Sequence, residues 1–405
     1  MKIALLVIAG LLIGGLSYSQ TNLVNANNDF AFRFYKFTKP DADNFFISPL
    51  SLNIALAIAD EGARGTTRKE IENLLGISRI DNKALKYRSL IDSTINLRDN
   101  RPGNNAQTSG RNILNIADAV WYNEKFTIKQ RFFDTVTSGY HSEIHSFNPN
   151  DIYAANDLLN RWVAEKTNNK IKKIGGIDQF TLMSIINATY FMGKWEREFD
   201  ESGTRPKKFY SLSHDSANIK FMNIQAPYKY YEDDTLQAVY LPYRFDQFSM
   251  LVMLPHARYG INKLENILDS DYYNKIRNKA TSKEVILSFP RFKIETELHL
   301  KDKLEELGYS DMFSVDADFS GITDKKPVYC SDIIHKTYIE TDEKKTEAAA
   351  VSEVVINYTS AAQVRFVVPP KVFNADHSFV FFIIDNRTLA ILFMGRFVKQ
   401  ELQPD

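Results

Sequence analysis

The sequence predicts an α+β fold, with helices concentrated in the first half of the chain and strands in the second. Three observations carry this prediction: apolar residues at helical spacing, short dense apolar runs later in the chain, and no Pro/Gly/Ser-rich linker or short repeat. A chain of 405 residues with 44% hydrophobic content can bury one large core, so we expect a single domain.

Two segments have the pattern of amphipathic helices. Residues 151–166 carry apolar side chains three and four positions apart, namely Ile152, Ala155, Leu158, Leu159, Trp162 and Val163. Residues 298–307 repeat this spacing, and Gly308 follows as a C-terminal helix stop. The sequence therefore predicts one helix over each segment.

Strand signals follow in the second half of the chain. Residues 250–254 and 285–289 are short apolar runs that end at Pro255 and Pro290. Residues 379–384 and 389–394 are dense apolar runs separated by the four polar residues 385–388. This last arrangement predicts a buried β-hairpin.

The N-terminus has the pattern of a signal peptide over residues 1–19. Lys2 supplies the positive start, residues 3–16 the apolar body, and Ser17-Tyr18-Ser19 a small-residue cleavage site before Gln20. The apolar body is shorter than the ~20 residues of a membrane span. We expect a mature chain, residues 20–405, that is secreted into the extracellular space or the periplasm and has no membrane partner.

Charge and cysteine content bear on two further questions, nucleic-acid binding and disulfide bonding. Lysine plus arginine and aspartate plus glutamate each total 50, so the formal net charge is zero and we expect no nucleic-acid partner. Cys330 is the sole cysteine, which excludes an intramolecular disulfide. We expect its thiol to be buried and inert.

Common enzyme motifs are absent from the sequence. None of the seven histidines forms HExxH, and we expect His141 and His145, four positions apart, not to bind a metal. GxSxG, GxxxxGK[ST] and GxGxxG are also missing. We therefore expect no enzymatic activity, no metal and no cofactor.

The segment TDEKKTEAAAVSEVVINYTS at 341–360 is the most informative part of the chain. Its alternate residues form one small-to-apolar row, made of Thr346, Ala348, Ala350, Ser352, Val354, Ile356 and Tyr358. A period of two suits a strand with one face against a core, while the alanine-rich start is equally compatible with a helix or an exposed loop. The pattern indicates a segment that can exist as an exposed loop or as an inserted strand.

Six landmarks, in order along the chain, resemble those of the serpin family of serine protease inhibitors. They include NFFISPLSLNIALAIADEGARGTTRKEI at 44–71, AANDLLNRWVAEKTNNKI at 154–171, INATYFMGKWEREF at 186–199, LPYRFDQFSMLVMLP at 241–255, LSFPRFKIE at 287–295 and FNADHSFVFFIIDNRTLAILFMGRF at 373–397. The stretch HKTYIETDEKKTEAAA at 335–350 resembles the family's hinge.

The resemblance implies a fold and a function. The fold would have about nine helices around three β-sheets and an exposed reactive-centre loop at about 343–372. The protein would be a monomeric suicide substrate: a serine or cysteine protease cleaves the loop, the loop inserts into the main sheet, and the covalent acyl-enzyme is trapped. The alternative is a non-inhibitory serpin that acts as a binding or carrier protein.

The resemblance also assigns residues. The hinge maps onto Glu343, Thr346, Glu347, Ala348, Ala349, Ala350 and Ser352. Lys345 departs from the pattern, because inhibitory members usually have glycine there, and this departure favours the carrier alternative. Sheet-opening control maps onto Ser48, Ser51, Asn187, Trp195 and His335.

The reactive bond follows from counting along the loop. Sixteen residues past Glu343 lies Thr359, so the bond is assigned to Thr359-Ser360, which suits elastase-like or subtilisin-like proteases. Counting back from the 379–384 run instead selects Arg365, which suits trypsin-like proteases. Tyr358, one residue earlier than Thr359, is a third candidate and suits chymotrypsin-like proteases.

Overall fold

A computed structural model describes residues 12–95, 112–343 and 369–400. In these ranges the chain forms nine α-helices: α1 (Leu12–Thr38), α2 (Pro49–Gly62), α3 (Gly65–Leu75), α4 (Lys83–Ile95), α5 (Gln130–Tyr140), α6 (Ile152–Lys166), α7 (Ile261–Ile267), α8 (Ser270–Lys279) and α9 (Leu300–Glu306). The same ranges contain fourteen strands: β1 (Phe45–Ile47), β2 (Ile113–Asn123), β3 (Glu143–Phe147), β4 (Met183–Met192), β5 (Arg205–Tyr210), β6 (Ser216–Glu232), β7 (Leu236–Pro242), β8 (Phe248–Pro255), β9 (Thr281–Pro290), β10 (Phe292–His299), β11 (Asp332–Thr341), β12 (Lys371–Asn374), β13 (Phe379–Asp385) and β14 (Ile391–Phe397). The predicted α+β class is confirmed.

The described strands pair into two sheets. The larger has nine strands in the order β1-β14-β13-β8-β7-β6-β9-β12, with β5 paired to β6, and the smaller has five in the order β10-β11-β4-β2-β3. The resemblance implied three sheets. Strand β6 accounts for the difference, because it is 17 residues long and pairs with β5, β9 and β7 at successive positions, which joins them into one ladder.

Two interior strands of the five-stranded sheet run parallel to each other. Residues 332–338 of β11 pair with residues 184–190 of β4, whereas β10 and β2 flank them in antiparallel orientation. We call this parallel contact the β4–β11 seam. Parallel pairs are slightly less stable per residue than antiparallel ones, so the seam is a weak line in the middle of the sheet.

Helix α2 lies in the core and packs against β2, β4 and β14. Its N-cap is Ser48, whose Oγ accepts a hydrogen bond from the Ser51 N–H at 3.3 Å, and Pro49 occupies the favoured first helical position. All its residues except Glu61 are buried. This start fixes Ser48 and Ser51 beneath the five-stranded sheet.

Most of the predicted elements are present, with shifted ends. Helix α6 begins at Ile152 after the N-cap Asp151, as its amphipathic pattern predicts. Strands β13 and β14 form the predicted hairpin, and β8 and β9 contain the two predicted apolar runs. Helix α9 is shorter than predicted, because Leu298 and His299 pair with β11 as the end of β10.

The structure also bears on two further features, the thiol of Cys330 and the presence of membrane-spanning helices. Cys330 is fully buried, and burial raises the pKa of its thiol, as expected for an inert side chain. Across the three described ranges, none of the helices combines the length and apolar character that a membrane-spanning segment needs.

Candidate functional site

Glu343 begins the predicted reactive-centre loop and is the last residue described before Pro369. Its side chain is 2% exposed, forms an ion pair with Arg291, and accepts hydrogen bonds from Arg291 Nε at 2.8 Å and from the Thr204 hydroxyl. Its carbonyl accepts from the Phe199 N–H at 3.2 Å. Burial alone would raise the pKa of Glu343, but the bonds from Thr204 and Arg291 outweigh it and lower the pKa. The carboxylate therefore anchors the end of β11.

The two ends of the predicted loop lie in different sheets. Strand β11 ends just before Glu343 in the five-stranded sheet, and the chain resumes at Pro369 before β12, at the edge of the nine-stranded sheet. Apart from Glu343, the predicted hinge and reactive-bond residues lie outside the described residues, namely Thr346, Glu347, Ala348, Ala349, Ala350, Ser352, Tyr358, Thr359, Ser360 and Arg365.

The structure brings four of the predicted control residues together under the seam. The Ser48 N–H donates to His335 Nε2 at 3.1 Å, and Ser48 Oγ donates to the Leu392 carbonyl at 2.8 Å. The other ring nitrogen of His335, Nδ1, lies 2.5 Å from Asn187 Oδ1. Asn187 Nδ2 in turn donates to Ser51 Oγ. Side chains from α2, β4 and β11 thus meet in one buried hydrogen-bonded cluster.

These bonds determine the state of the histidine ring. A backbone N–H can only donate, so His335 Nε2 must accept from Ser48 and the proton of the neutral ring resides on Nδ1. Burial lowers the pKa of His335 to about 3, so the ring stays neutral at physiological pH. His335 Nδ1 therefore donates to Asn187 across the seam.

Two members of this cluster were not predicted from the sequence. Asp118 of β2 accepts from Asn187 Nδ2 at 2.5 Å, and the Thr189 hydroxyl lies 2.8 Å from Ser51 Oγ. The signal for Asp118 was an acidic residue within the otherwise apolar run IADAVW at 116–121. Burial raises the pKa of Asp118 to about 7, although the bond from Asn187 acts in the opposite direction.

Trp195 lies apart from the cluster, at the end of the seam where β11 ends. Its indole stacks on Tyr243 with ring centroids 4.6 Å apart, and its Nε1 donates to the Asp342 carbonyl at 2.9 Å. The β4–β11 ladder ends at Tyr190 and Tyr338, and beyond it the strands border a small cleft lined by Phe191, Gly193, Trp195, Tyr243 and residues 339–342. The seam is therefore already open at the end from which the predicted loop departs.

No group of three or more His, Cys, Asp or Glu side chains that could hold a metal occurs in residues 12–95, 112–343 and 369–400. Within the same residues His141 bonds Asp92 and His145 bonds Glu143, so each has its own carboxylate partner. The described site therefore consists of three structural features: the anchored end of β11, the parallel β4–β11 seam, and a buried hydrogen-bonded cluster that crosses this seam.

Comparison with known proteins gives a consistent result. The family profile described as Serpin (serine protease inhibitor) matches residues 25–400. An uncharacterized serpin-like protein of Thermococcus kodakarensis is 33% identical over 381 residues, which cover 93% of this chain and 85% of that protein. The native-state crystal structure of the thermophilic serpin tengpin aligns with a TM-score of 0.79 and 28% identity, over 93% of this chain and 94% of that one. Human thyroxine-binding globulin in complex with thyroxine aligns with a TM-score of 0.81 and 26% identity, over 95% of this chain and 100% of that one.

Proposed function

We propose that this protein, which belongs to the serpin family, is a protease inhibitor that acts as a suicide substrate. A target serine protease cleaves the loop after β11, and the cleaved loop inserts into the five-stranded sheet before the acyl-enzyme is hydrolysed. The observation that carries the proposal is the β4–β11 seam, together with the anchored end of β11 at Glu343, from which the predicted loop departs.

The orientation of the seam suits insertion. The chain that follows β11 must reverse direction to lie beside it, so an inserted segment would run antiparallel to β11. Because β4 is parallel to β11, the same segment would also be antiparallel to β4. One parallel contact would be replaced by two antiparallel ladders.

The energetics favour such a step. Inserting ~15 residues adds about as many backbone hydrogen bonds, each worth roughly 0.5–1.5 kcal/mol net. The sum is on the order of 10 kcal/mol, comparable with the ~5–15 kcal/mol that stabilises an ordinary folded protein. The uncut form would therefore be metastable, and its stored energy would drive the trapping.

The trap acts on the chemistry of the protease. The nucleophile of the protease forms an ester with the loop residue before the cut, and water normally releases it with help from an oriented histidine and an oxyanion hole. Insertion drags the tethered protease along the sheet and distorts that machinery. The ester then persists as a covalent complex.

We assign the reactive bond to Thr359-Ser360, with Tyr358 and Arg365 as alternatives. Small Thr359 favours elastase-like or subtilisin-like targets. Arg365 would leave six more residues on the inserting side, about 20 Å of slack at ~3.3 Å per residue, and would hold a protease less firmly. We also propose export, because residues 1–19 have the pattern of a signal peptide.

The second candidate function is a carrier that does not inhibit. Lys345 favours it, since inhibitory members of the family usually have glycine at this hinge position. The likeness to human thyroxine-binding globulin, which binds thyroxine in its crystal structure, adds support. The small side chains of Ala348, Ala350 and Ser352 oppose it, because they suit insertion.

A protease panel tests the proposal. The protein is mixed with elastase-, subtilisin-, trypsin- and chymotrypsin-like proteases, and each mixture is boiled in SDS. We expect a covalent complex with an elastase- or subtilisin-like enzyme and a released C-terminal peptide that begins at Ser360. A peptide that begins at Phe366 would reassign the bond to Arg365, and cleavage by every protease without any complex would favour the carrier function.

A further inference from the structure

Asp118 ends a row of hydrogen-bonded groups that crosses the seam. The strand register places Asp118 of β2 opposite Asn187 of β4, and Asn187 beside His335 of β11. The Ser48 N–H donates to His335, His335 donates to Asn187, and Asn187 donates to Asp118. We call these four groups the seam relay.

The two ends of the seam relay fix its direction. The Ser48 N–H can only donate, and Asp118 offers a carboxyl oxygen that accepts in both the ionised and the protonated form. Between them, Asn187 can be oriented in two ways, because its oxygen and nitrogen are similar in shape. An acceptor at position 118 requires the nitrogen to face β2, which leaves Asn187 Oδ1 facing His335.

We infer that Asp118 is a positioning residue, which orients Asn187 for its bond to His335 and sets how readily the β4–β11 seam opens. No contact with a protease is assigned to Asp118, because it lies buried behind the sheet. The inference rests on the proposed function only where it concerns inhibition, because an inhibitor must open this seam for its loop to insert.

The surroundings of the relay contain little other charge. The partners that α2, β4 and β14 contribute are neutral: Ser51, Thr189 and the Leu392 carbonyl. From β11 comes His335, which burial keeps neutral. The causes of the raised pKa of Asp118 are burial, which raises it, and the Asn187 bond, which lowers it, with no charged side chain among them.

Ionisation of Asp118 therefore acts against the closed seam. A negative charge strengthens the bond from Asn187, but burial penalises it, and the raised pKa of about 7 is the net of both effects in the closed form. Opening the seam by a strand width, about 4.8 Å, separates His335 from Asn187 and admits water. If hydration lowers the pKa by one unit, ionisation favours opening about tenfold.

Three variants separate the parts of this inference. D118N keeps an acceptor and a similar shape but carries no charge, whereas D118L removes the acceptor. H335Q removes the other titratable group of the relay. D316N, at an exposed aspartate, is the control for a change of net charge.

Amide hydrogen–deuterium exchange of the uncut protein, measured by mass spectrometry at pH 5.5 and 8.5, provides the readout. Rates of β4 and β11 peptides are compared between variants at the same pH, which cancels the intrinsic pH dependence, and β13 and β14 peptides are the internal reference. We expect wild type and D118N to match at pH 5.5, and wild type to exchange about tenfold faster at pH 8.5. D118L should exchange faster than wild type at pH 5.5, while D316N should follow wild type.

Two results would overturn the inference. The first is a ratio of exchange rates, wild type over D118N, that is the same at pH 5.5 and 8.5. The second is a pH-dependent exchange of the β4 and β11 peptides that disappears in H335Q but persists in D118N. The exchange measurement involves no target protease of the proposed inhibitor. If the protein trapped no protease but showed the Asp118-dependent ratio, the proposed function would fail and the inference would stand.

Discussion

The anchor at Glu343 offers a sharp test of how the end of β11 is held. In E343Q the side chain keeps its size but loses its charge, so the ion pair with Arg291 is lost and the amide nitrogen cannot accept from Arg291 or Thr204. We expect the variant to unfold more easily and to loosen the strand end from which the loop departs.

The structure sets the size of this effect. Removing one partner of a fully buried ion pair costs roughly 3–5 kcal/mol, but the Arg291 side chain is 35% exposed and water can hydrate it in the variant. Hydrogen bonds to charged groups are worth roughly 1.5–3 kcal/mol. We therefore expect a loss of about 2 kcal/mol, which for a chain of this length lowers the melting temperature by about 2–3 °C.

The pH dependence distinguishes the ion pair from a simple packing defect. The folded-state pKa of Glu343 is lowered from 4.5, so its stabilisation is present above 4.5 and is lost as pH falls through the folded-state pKa. Calorimetry of wild type, E343Q and the exposed control E305Q should show a deficit for E343Q at pH 7 that shrinks in acid. Equal melting of wild type and E343Q at pH 7, or a deficit that persists undiminished at pH 3, would show that the ion pair of Glu343 with Arg291 does not stabilise this strand end.

Four further predictions follow from the same structure. The pKa of Asp118 is raised from 3.8 to about 7, so ionisation of Asp118 lowers the stability of the folded protein as pH rises between these values. In urea unfolding, the free energy of unfolding of D118N should therefore exceed that of wild type by up to about 4 kcal/mol at pH 8.5 and by little at pH 3.5. An equal difference at both pH values would contradict this. Replacing Thr346 with Arg should convert the inhibitor into a substrate, because insertion would bury a charge; unchanged complex formation on SDS gels would exclude insertion at this position. Cys330 should react with a thiol reagent only after unfolding, because its thiol is buried; rapid labelling of the native protein would show otherwise. Loop cleavage should raise the melting temperature strongly if the loop inserts, whereas a carrier should melt at nearly the same temperature before and after cleavage.

The elements that the sequence predicted well are those whose signal is local. Helix α6 shows a regular apolar spacing, and the hairpin of β13 and β14 shows two apolar runs around a polar turn. The start of α9 was predicted two residues early, because Leu298 and His299 are claimed by pairing with β11, which no local pattern reveals.

Some residues of the site could likewise be assigned from the sequence, whereas others depend on strand pairing. Ser48, Ser51, Asn187 and His335 were assigned from the family resemblance, and the structure places them in one cluster. Asp118 escaped notice because its role depends on facing Asn187, 69 residues away along the chain. The partnership of Glu343 with Arg291 across β10 and β11 likewise depends on strand pairing, which sequence periodicity does not specify.

The most direct test of the central claim is a crystal structure of the protein after a single cut in its loop. We expect residues 346–358 to form a new strand between β4 and β11, antiparallel to both, with His335 moved away from Asn187. A cut protein in which β4 and β11 remain paired, with the severed segment outside the sheet, would contradict it.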